Sequence, residues 1–149
     1  MKVTAKEQYG LRAAAELAQR YGQGPVSLGE VAEAQGISLA YLEQVIGDLR
    51  NAGLVISTRG VHGGYTLARS PAQITVGEVL CALEGDILPV QCVRHEDAQP
   101  CERGEICTAR TVWEHVHRRL IDVLYGMTLA DLHEGKHEIS GTNYKGETK

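Results

Sequence analysis

Ser27-Leu28-Gly29-Glu30-Val31-Ala32-Glu33-Ala34-Gln35-Gly36-Ile37-Ser38-Leu39-Ala40-Tyr41-Leu42-Glu43-Gln44-Val45-Ile46-Gly47-Asp48-Leu49 is two short amphipathic segments with a glycine between them. Ser27 and Glu30 have the spacing of a capping box, and Leu28 with Val31 supplies an apolar stripe. Gly36 is placed to end this helix in the left-handed conformation that glycine tolerates. Ser38 then caps a longer helix whose buried face is Leu42, Val45, Ile46 and Leu49, the i, i+3, i+4, i+7 pattern, with Gly53 as its stop. Two such helices around a glycine turn predict a helix-turn-helix.

Downstream, Leu54-Val55-Ile56-Ser57-Thr58 and Tyr65-Thr66-Leu67 are β-prone. The glycine-rich Arg59-Gly60-Val61-His62-Gly63-Gly64 between them is short enough for a hairpin, the wing of a winged helix. Upstream, Thr4 and Glu7 form another capping box, and Tyr9, Ala13 and Leu17 recur at helical spacing, which predicts a helix over about 5–20. Beyond Ser70-Pro71, Thr75 and Glu78 cap a helix of about 76–84, in which Cys81 reads as a small buried apolar residue. Periodicity vanishes from Asp86 to about Gly104. It returns over roughly 106–126, where Trp113, Val116, Leu120, Leu124 and Met127 form a stripe that has little in its own chain to cover it. A second copy would cover it, giving a two-fold dimer.

The expected fold is therefore mainly α with a small β-wing. Its parts are a winged helix-turn-helix DNA-binding domain over 1–85, a cysteine-rich loop over 86–107, a dimerisation helix with a following short helix over 108–134, and a flexible tail over 135–149. The chain has 149 residues, 43% of them hydrophobic. No window approaches the roughly 20 apolar residues of a membrane span. The first residues lack the apolar stretch of a secretory signal, so a cytoplasmic location is expected. The formal charge of −4 is unevenly spread: residues 1–70 carry a net +1 and the remainder a net −5. Phosphate binding by the first half must then come from placement rather than bulk charge.

Ser38, Ala40, Tyr41, Glu43 and Gln44 lie on the exposed side of the second helix-turn-helix segment, the element that enters a major groove in this motif. Gln44 suits adenine, Glu43 suits the cytosine amino group, and Ala40 or Tyr41 suits a thymine methyl or a phosphate. Arg59 at the base of the wing suits a narrow minor groove, and Gly63 and Gly64 would let the wing backbone approach the sugar-phosphate chain. With one Trp and no Phe, stacking on single strands has little support.

Cys92, Cys101 and Cys107 fall in one 16-residue window, separated by eight and then five residues. In a reducing compartment such thiols are metal ligands or redox groups rather than a disulfide framework. Thiolates suit iron–sulfur clusters, zinc or copper(I), and the absence of Cys-x-x-Cys knuckles tilts the choice toward a cluster. Nothing pairs a nucleophile with a base, so no enzymatic activity is expected.

Met1-Lys2-Val3-Thr4 with Tyr9, the run Gln35–Gln44, the wing Arg59–Tyr65, the segment Ile74–Val79 and the three cysteines together resemble the IscR-type, Rrf-family iron–sulfur regulators over about residues 1–135. The resemblance implies a homodimeric winged-helix transcription factor that holds a [2Fe–2S] cluster in each loop and controls iron–sulfur assembly genes. It implies that Ser38, Ala40, Tyr41, Glu43 and Gln44 are recognition-helix positions and Arg59 the wing arginine, acting on palindromic promoter sites. Cluster-loaded and cluster-free dimers of that family prefer different operators, and the acid matching Glu43 discriminates between them. Iron–sulfur assembly proteins would be the cluster's source.

Two positions depart from the family pattern. The first cysteine gap holds eight residues where the best-known members have five. The family's fourth ligand, a histidine three residues after the third cysteine, is Arg110 here, and arginine is a poor ligand. Gln8, which matches a carboxylate ligand of nitric-oxide-sensing relatives, its neighbour Glu7, and His95 are alternatives. Two other functions stay open: a nitric oxide or redox-stress-sensing repressor of the same fold, and an iron–sulfur cluster carrier.

Overall fold

Three serine or threonine capping boxes open helices where their spacing places them. A computed structural model describes residues 2–87, 90, 93, 101–103 and 106–133. In it α1 (Ala5–Gln19) starts at Thr4, whose hydroxyl accepts the Glu7 N–H at 3.1 Å while the Glu7 carboxylate accepts the Thr4 N–H at 2.7 Å. The same reciprocal pair opens α2 (Leu28–Gln35) through Ser27 and Glu30, and α4 (Val76–Glu84) through Thr75 and Glu78. Each box satisfies two amide donors that a helix start leaves without an internal partner.

Gly36, at φ 63° and ψ 38°, ends α2 in the left-handed region. The chain turns there into α3 (Leu39–Asn51). Leu42 and Leu49 are 0% exposed, and Val45 and Ile46 are buried beside them against α1, α2 and α4. Strands β1 (Val55–Thr58) and β2 (Gly64–Leu67) pair antiparallel with Val55 opposite Leu67 and Thr58 opposite Gly64. Val26, just before α2, adds a bridge to Tyr65 through bonds of 3.0 and 2.8 Å, so the wing is tied to the helix-turn-helix that it flanks.

Close approach of backbone sets two further packings. A Cβ on Gly10 of α1 would lie 2.2 Å from Leu83 of α4. One on Gly77 of α4 would lie 2.5 Å from the ring of Tyr125 in α5 (Thr108–Gly126). Burial, then the Cys81 thiol beside it, pushes the Tyr125 phenol above its ordinary value. Cys81, expected to be buried as an apolar residue, is only half-buried, and its thiol stands beside the Tyr125 hydroxyl of α5.

The end of α5 is pinned back onto the start of α4: the Val76 N–H donates to Met127 and the Leu129 N–H to Ile74, both at 2.9 Å. Leu129, at 0% exposure, opens α6 (Leu129–His133) and lies in the same core as α3, with α6 packed on α1 and on the 3-10 turn Pro71–Gln73. Among the described residues no helix is long and apolar enough to cross a membrane.

Glu78 gives a pH prediction. Burial pushes its carboxyl up, but the Thr75 backbone N–H, the Arg69 guanidinium at 2.8 Å and the Thr75 hydroxyl outweigh burial and hold it below the ordinary value. The folded group thus ionises at lower pH than the unfolded one. Its contribution is complete above the unfolded value and is lost as pH falls through the folded value. Glu78→Gln is expected to cost about 1 kcal/mol at neutral pH in urea unfolding, with the difference from the parent shrinking as the pH falls through the folded carboxyl's range. A pH-independent difference would mean that the charge contributes nothing.

Candidate nucleic-acid interface and cysteine segment

The exposed side of α3 is a single helical stripe. Ala40, Glu43 and Gln44 are exposed and Gly47 follows at the next turn, diametrically opposite the Leu42–Leu49 core face. Ser38 is the N-cap, and its hydroxyl accepts the Tyr41 N–H at 3.3 Å. It remains exposed, with its proton still available to donate. Tyr41, also expected on the reading face, leans toward α1. Its half-buried ring meets Tyr9 edge-on, with centroids 5.8 Å apart.

Side chains of α1 fix the setting of α3. Lys6 reaches Asp48 at 2.8 Å, and the Asp48 hydrogen bond raises the lysine pKa against partial desolvation. Arg12 lies over the Tyr9 ring and donates to both the side chain and the carbonyl of Gln35, in the helix-turn-helix turn. Gln35 donates in turn to Glu16 at 2.8 Å, and Glu16, only 8% exposed, also accepts from Arg20 at 2.8 Å. Sequence periodicity carries no signal for the two bonds of Gln35, which span 23 and 19 residues, whereas Glu16 and Arg20 stand at i, i+4 spacing.

On the wing, Arg59 and His62 are exposed and Val61 is 96% exposed. Gly63 and Gly64, expected as points of approach to DNA, are required by the hairpin itself. A Cβ on Gly63 would stand 2.1 Å from the Thr58 carbonyl oxygen, and one on Gly64 would stand 2.4 Å from that of Val26.

Cys107 is the N-cap of α5, with no hydrogen bond from the helix start to its side chain. Cys101 is exposed, and neither thiol is in a disulfide. Cys92 and His95 lie outside the described residues. Arg110, in the first turn of α5, extends along the helix to Glu114 at 2.7 Å. At the start of α1, the Glu7 carboxylate is engaged in its capping box, whereas Gln8 is exposed and makes only a 3.5 Å bond to the Val3 carbonyl. The described thiols have the donor chemistry for a metal or cluster. The N-terminal end of α5 would favour the negative charge that thiolates bring.

None of the described residues of α5 is buried. Trp113 at 39%, Val116 at 36% and Val123 at 38% are exposed; together with half-buried Leu120 and Met127 they recur every three and four residues. Nearby, Glu114, His117, Arg118 and Ile121 line a cavity of about 270 Å³, and the His117 Nδ1 is buried without a partner among the described residues.

Residues 3–135 match the Rrf2 family, described as iron-dependent transcriptional regulators. The chain is 39% identical over 132 residues to the HTH-type transcriptional regulator IscR of Aliivibrio salmonicida, covering 89% of this chain and 77% of that one. The structure of IscR from T. potens matches with a TM-score of 0.73 and 42% identity over 95% of this chain and 93% of that one. CymR (YrzC), the global cysteine regulator of B. subtilis, matches equally well, with a TM-score of 0.74 and 40% identity over 90% and 97%.

Proposed function

The chain belongs to the Rrf2 family of transcriptional regulators, and on that premise we propose that it is a homodimeric, cluster-dependent DNA-binding protein that reports iron–sulfur status and controls iron–sulfur assembly genes. The observation that carries this reading is Cys107, an N-cap whose thiol is free of the helix it opens, preceded by exposed Cys101 and by Cys92 in the same short segment. A [2Fe–2S] cluster bound there would supply an oxidation-sensitive link between this segment and α5.

Cys92, Cys101 and Cys107 would hold it, with Gln8 of a second copy a more available fourth ligand than Glu7, whose carboxylate already caps α1. The heptad-like seam Trp113, Val116, Leu120, Val123, Met127 supports pairing of α5 with a second copy. In the DNA complex α3 enters the major groove with Ala40, Glu43 and Gln44 toward base edges and Ser38 toward a phosphate. Arg59 probes the adjacent minor groove. Because α1 grips α3 through Lys6–Asp48 and Tyr9–Tyr41, a shift of α1 would move the reading face.

The test is anaerobic purification with iron, sulfide and zinc quantified, followed by DNA binding before and after removal of the bound metal. Iron and sulfide near two each per chain, with operator affinity that changes on their removal, is the expected result. Zinc alone, or binding indifferent to removal, rejects the cluster. The equal likeness to CymR favours a second reading, a regulator of cysteine metabolism. Metal-free protein with full operator affinity would support it. The family assignment weighs against an iron–sulfur carrier, and a nitric oxide or redox signal acting on the same thiols is separated by titrating loaded protein with each oxidant.

A further inference from the structure

Glycine inside a helix is unfavourable, because the unfolded chain gains freedom and the helix gains no side-chain contact. Gly10 in α1 and Gly77 in α4 have a visible reason, since a Cβ at either would strike Leu83 or Tyr125. Gly63 and Gly64 have one in the wing backbone. Gly47 has none. It is the ninth residue of α3, well inside the helix, its φ is not positive, and a Cβ there would meet nothing within 4 Å among the described residues. Gly29 and Gly126 are similarly uncrowded, but they stand in the first turn of α2 and at the last residue of α5, where helices fray.

Gly47 also lies on the stripe of Ala40, Glu43 and Gln44, at the middle of the face that α3 turns away from the core. We infer that Gly47 is a point of direct backbone approach between α3 and duplex DNA: the helix seats so deeply that a methyl group at this position would hold it off the groove wall. The requirement for smallness lies in the partner rather than in the fold. This inference rests on α3 being the groove helix. It adds a depth constraint that no hydrogen-bonding side chain supplies, because specific contacts from Glu43 and Gln44 tolerate little displacement before their geometry fails.

The experiment compares Gly47→Ala and Gln44→Ala with the parent in the full-length chain. The probe is the duplex that the parent enriches from a random-sequence pool, with a scrambled duplex as control. Gly47→Ala is expected to raise the thermal midpoint by about 2–4 °C, since alanine is the better helix former. It is expected to weaken binding to the enriched duplex at least tenfold, which is about 1.4 kcal/mol. Binding to the scrambled duplex at low salt should be unchanged, because phosphate attraction does not need deep seating.

A raised midpoint with undiminished specific affinity overturns the inference. A lowered midpoint overturns it too, by placing the reason for glycine inside the fold. Gln44→Ala addresses the premise separately: if it keeps full specific affinity, α3 is not the reading helix. If Gln44→Ala loses affinity and Gly47→Ala does not, only the depth constraint fails.

Discussion

Cys107→Ala protein purified without oxygen is expected to lose the visible absorbance of the parent and all but a trace of its iron and sulfide. Cys107 stands at the junction of the cysteine segment and α5, so its thiol is anchored to a helix start. Alanine at an N-cap that already lacks a side-chain hydrogen bond costs the helix little, so the fold should survive with a thermal midpoint close to that of metal-free parent. Loss of colour without loss of fold separates a ligand from a structural residue. Bands of undiminished intensity in Cys107→Ala would remove this residue from the site.

Arg110→His belongs beside that variant. Histidine at this position breaks the 2.7 Å pair with Glu114 and installs an imidazole where the IscR-type pattern has its fourth ligand. If the pattern governs, the bound cluster should become more resistant to oxidative loss and its absorbance should shift. Should the half-life in air stay that of the parent, the fourth ligand comes from elsewhere, and Gln8→Ala becomes the decisive variant.

Leu129→Ala is expected to cost about 3 kcal/mol in urea unfolding, a large part of the stability of a domain this size. Leu129 is 0% exposed in the same apolar cluster as Leu42, Leu49 and Leu17, and its N–H donates to Ile74 at 2.9 Å. Removing three side-chain carbons there leaves a cavity among α1, α6 and the turn Pro71–Gln73 that the backbone, pinned at residues 127 and 129, cannot readily close. Leu132→Ala, from a position 39% exposed on the same helix, should stay within about 0.5 kcal/mol. Equal effects at the two positions would mean that α6 does not dock on the core. Operator binding by Leu129→Ala should fall with its folded fraction, because α6 packs against the helix that grips α3.

Local rules made much of this fold legible. Thr4–Glu7, Ser27–Glu30 and Thr75–Glu78 are three-residue signals whose partners lie within one turn, so spacing suffices to locate three helix starts. Gly36 and the Leu42–Leu49 periodicity place the turn and the buried face of α3 for the same reason. Helical position alone places Tyr41 with the reading face, and only the fold shows that its ring also packs on Tyr9, 32 residues earlier. Sequence marks Gly63 and Gly64 as points where DNA can approach, and only the fold shows that the hairpin backbone also needs them small.

By itself the sequence determined the winged helix-turn-helix, the clustering of three thiols ahead of an apolar-striped helix, and the conflict at Arg110 with the family pattern. These depend on neighbours a few residues apart or on composition within a single segment. Only the tertiary structure decided that Glu16, Gln35 and Arg12 lock the turn to α1, that α6 returns to the core through Leu129, and that Cys107 caps α5 without a hydrogen bond to its side chain. It also decided that Gly47, deep inside a helix, has no neighbour among the described residues that would make it small. Such contacts join residues distant in sequence, and the close approaches that distinguish a required glycine from a free one exist only after the chain has packed.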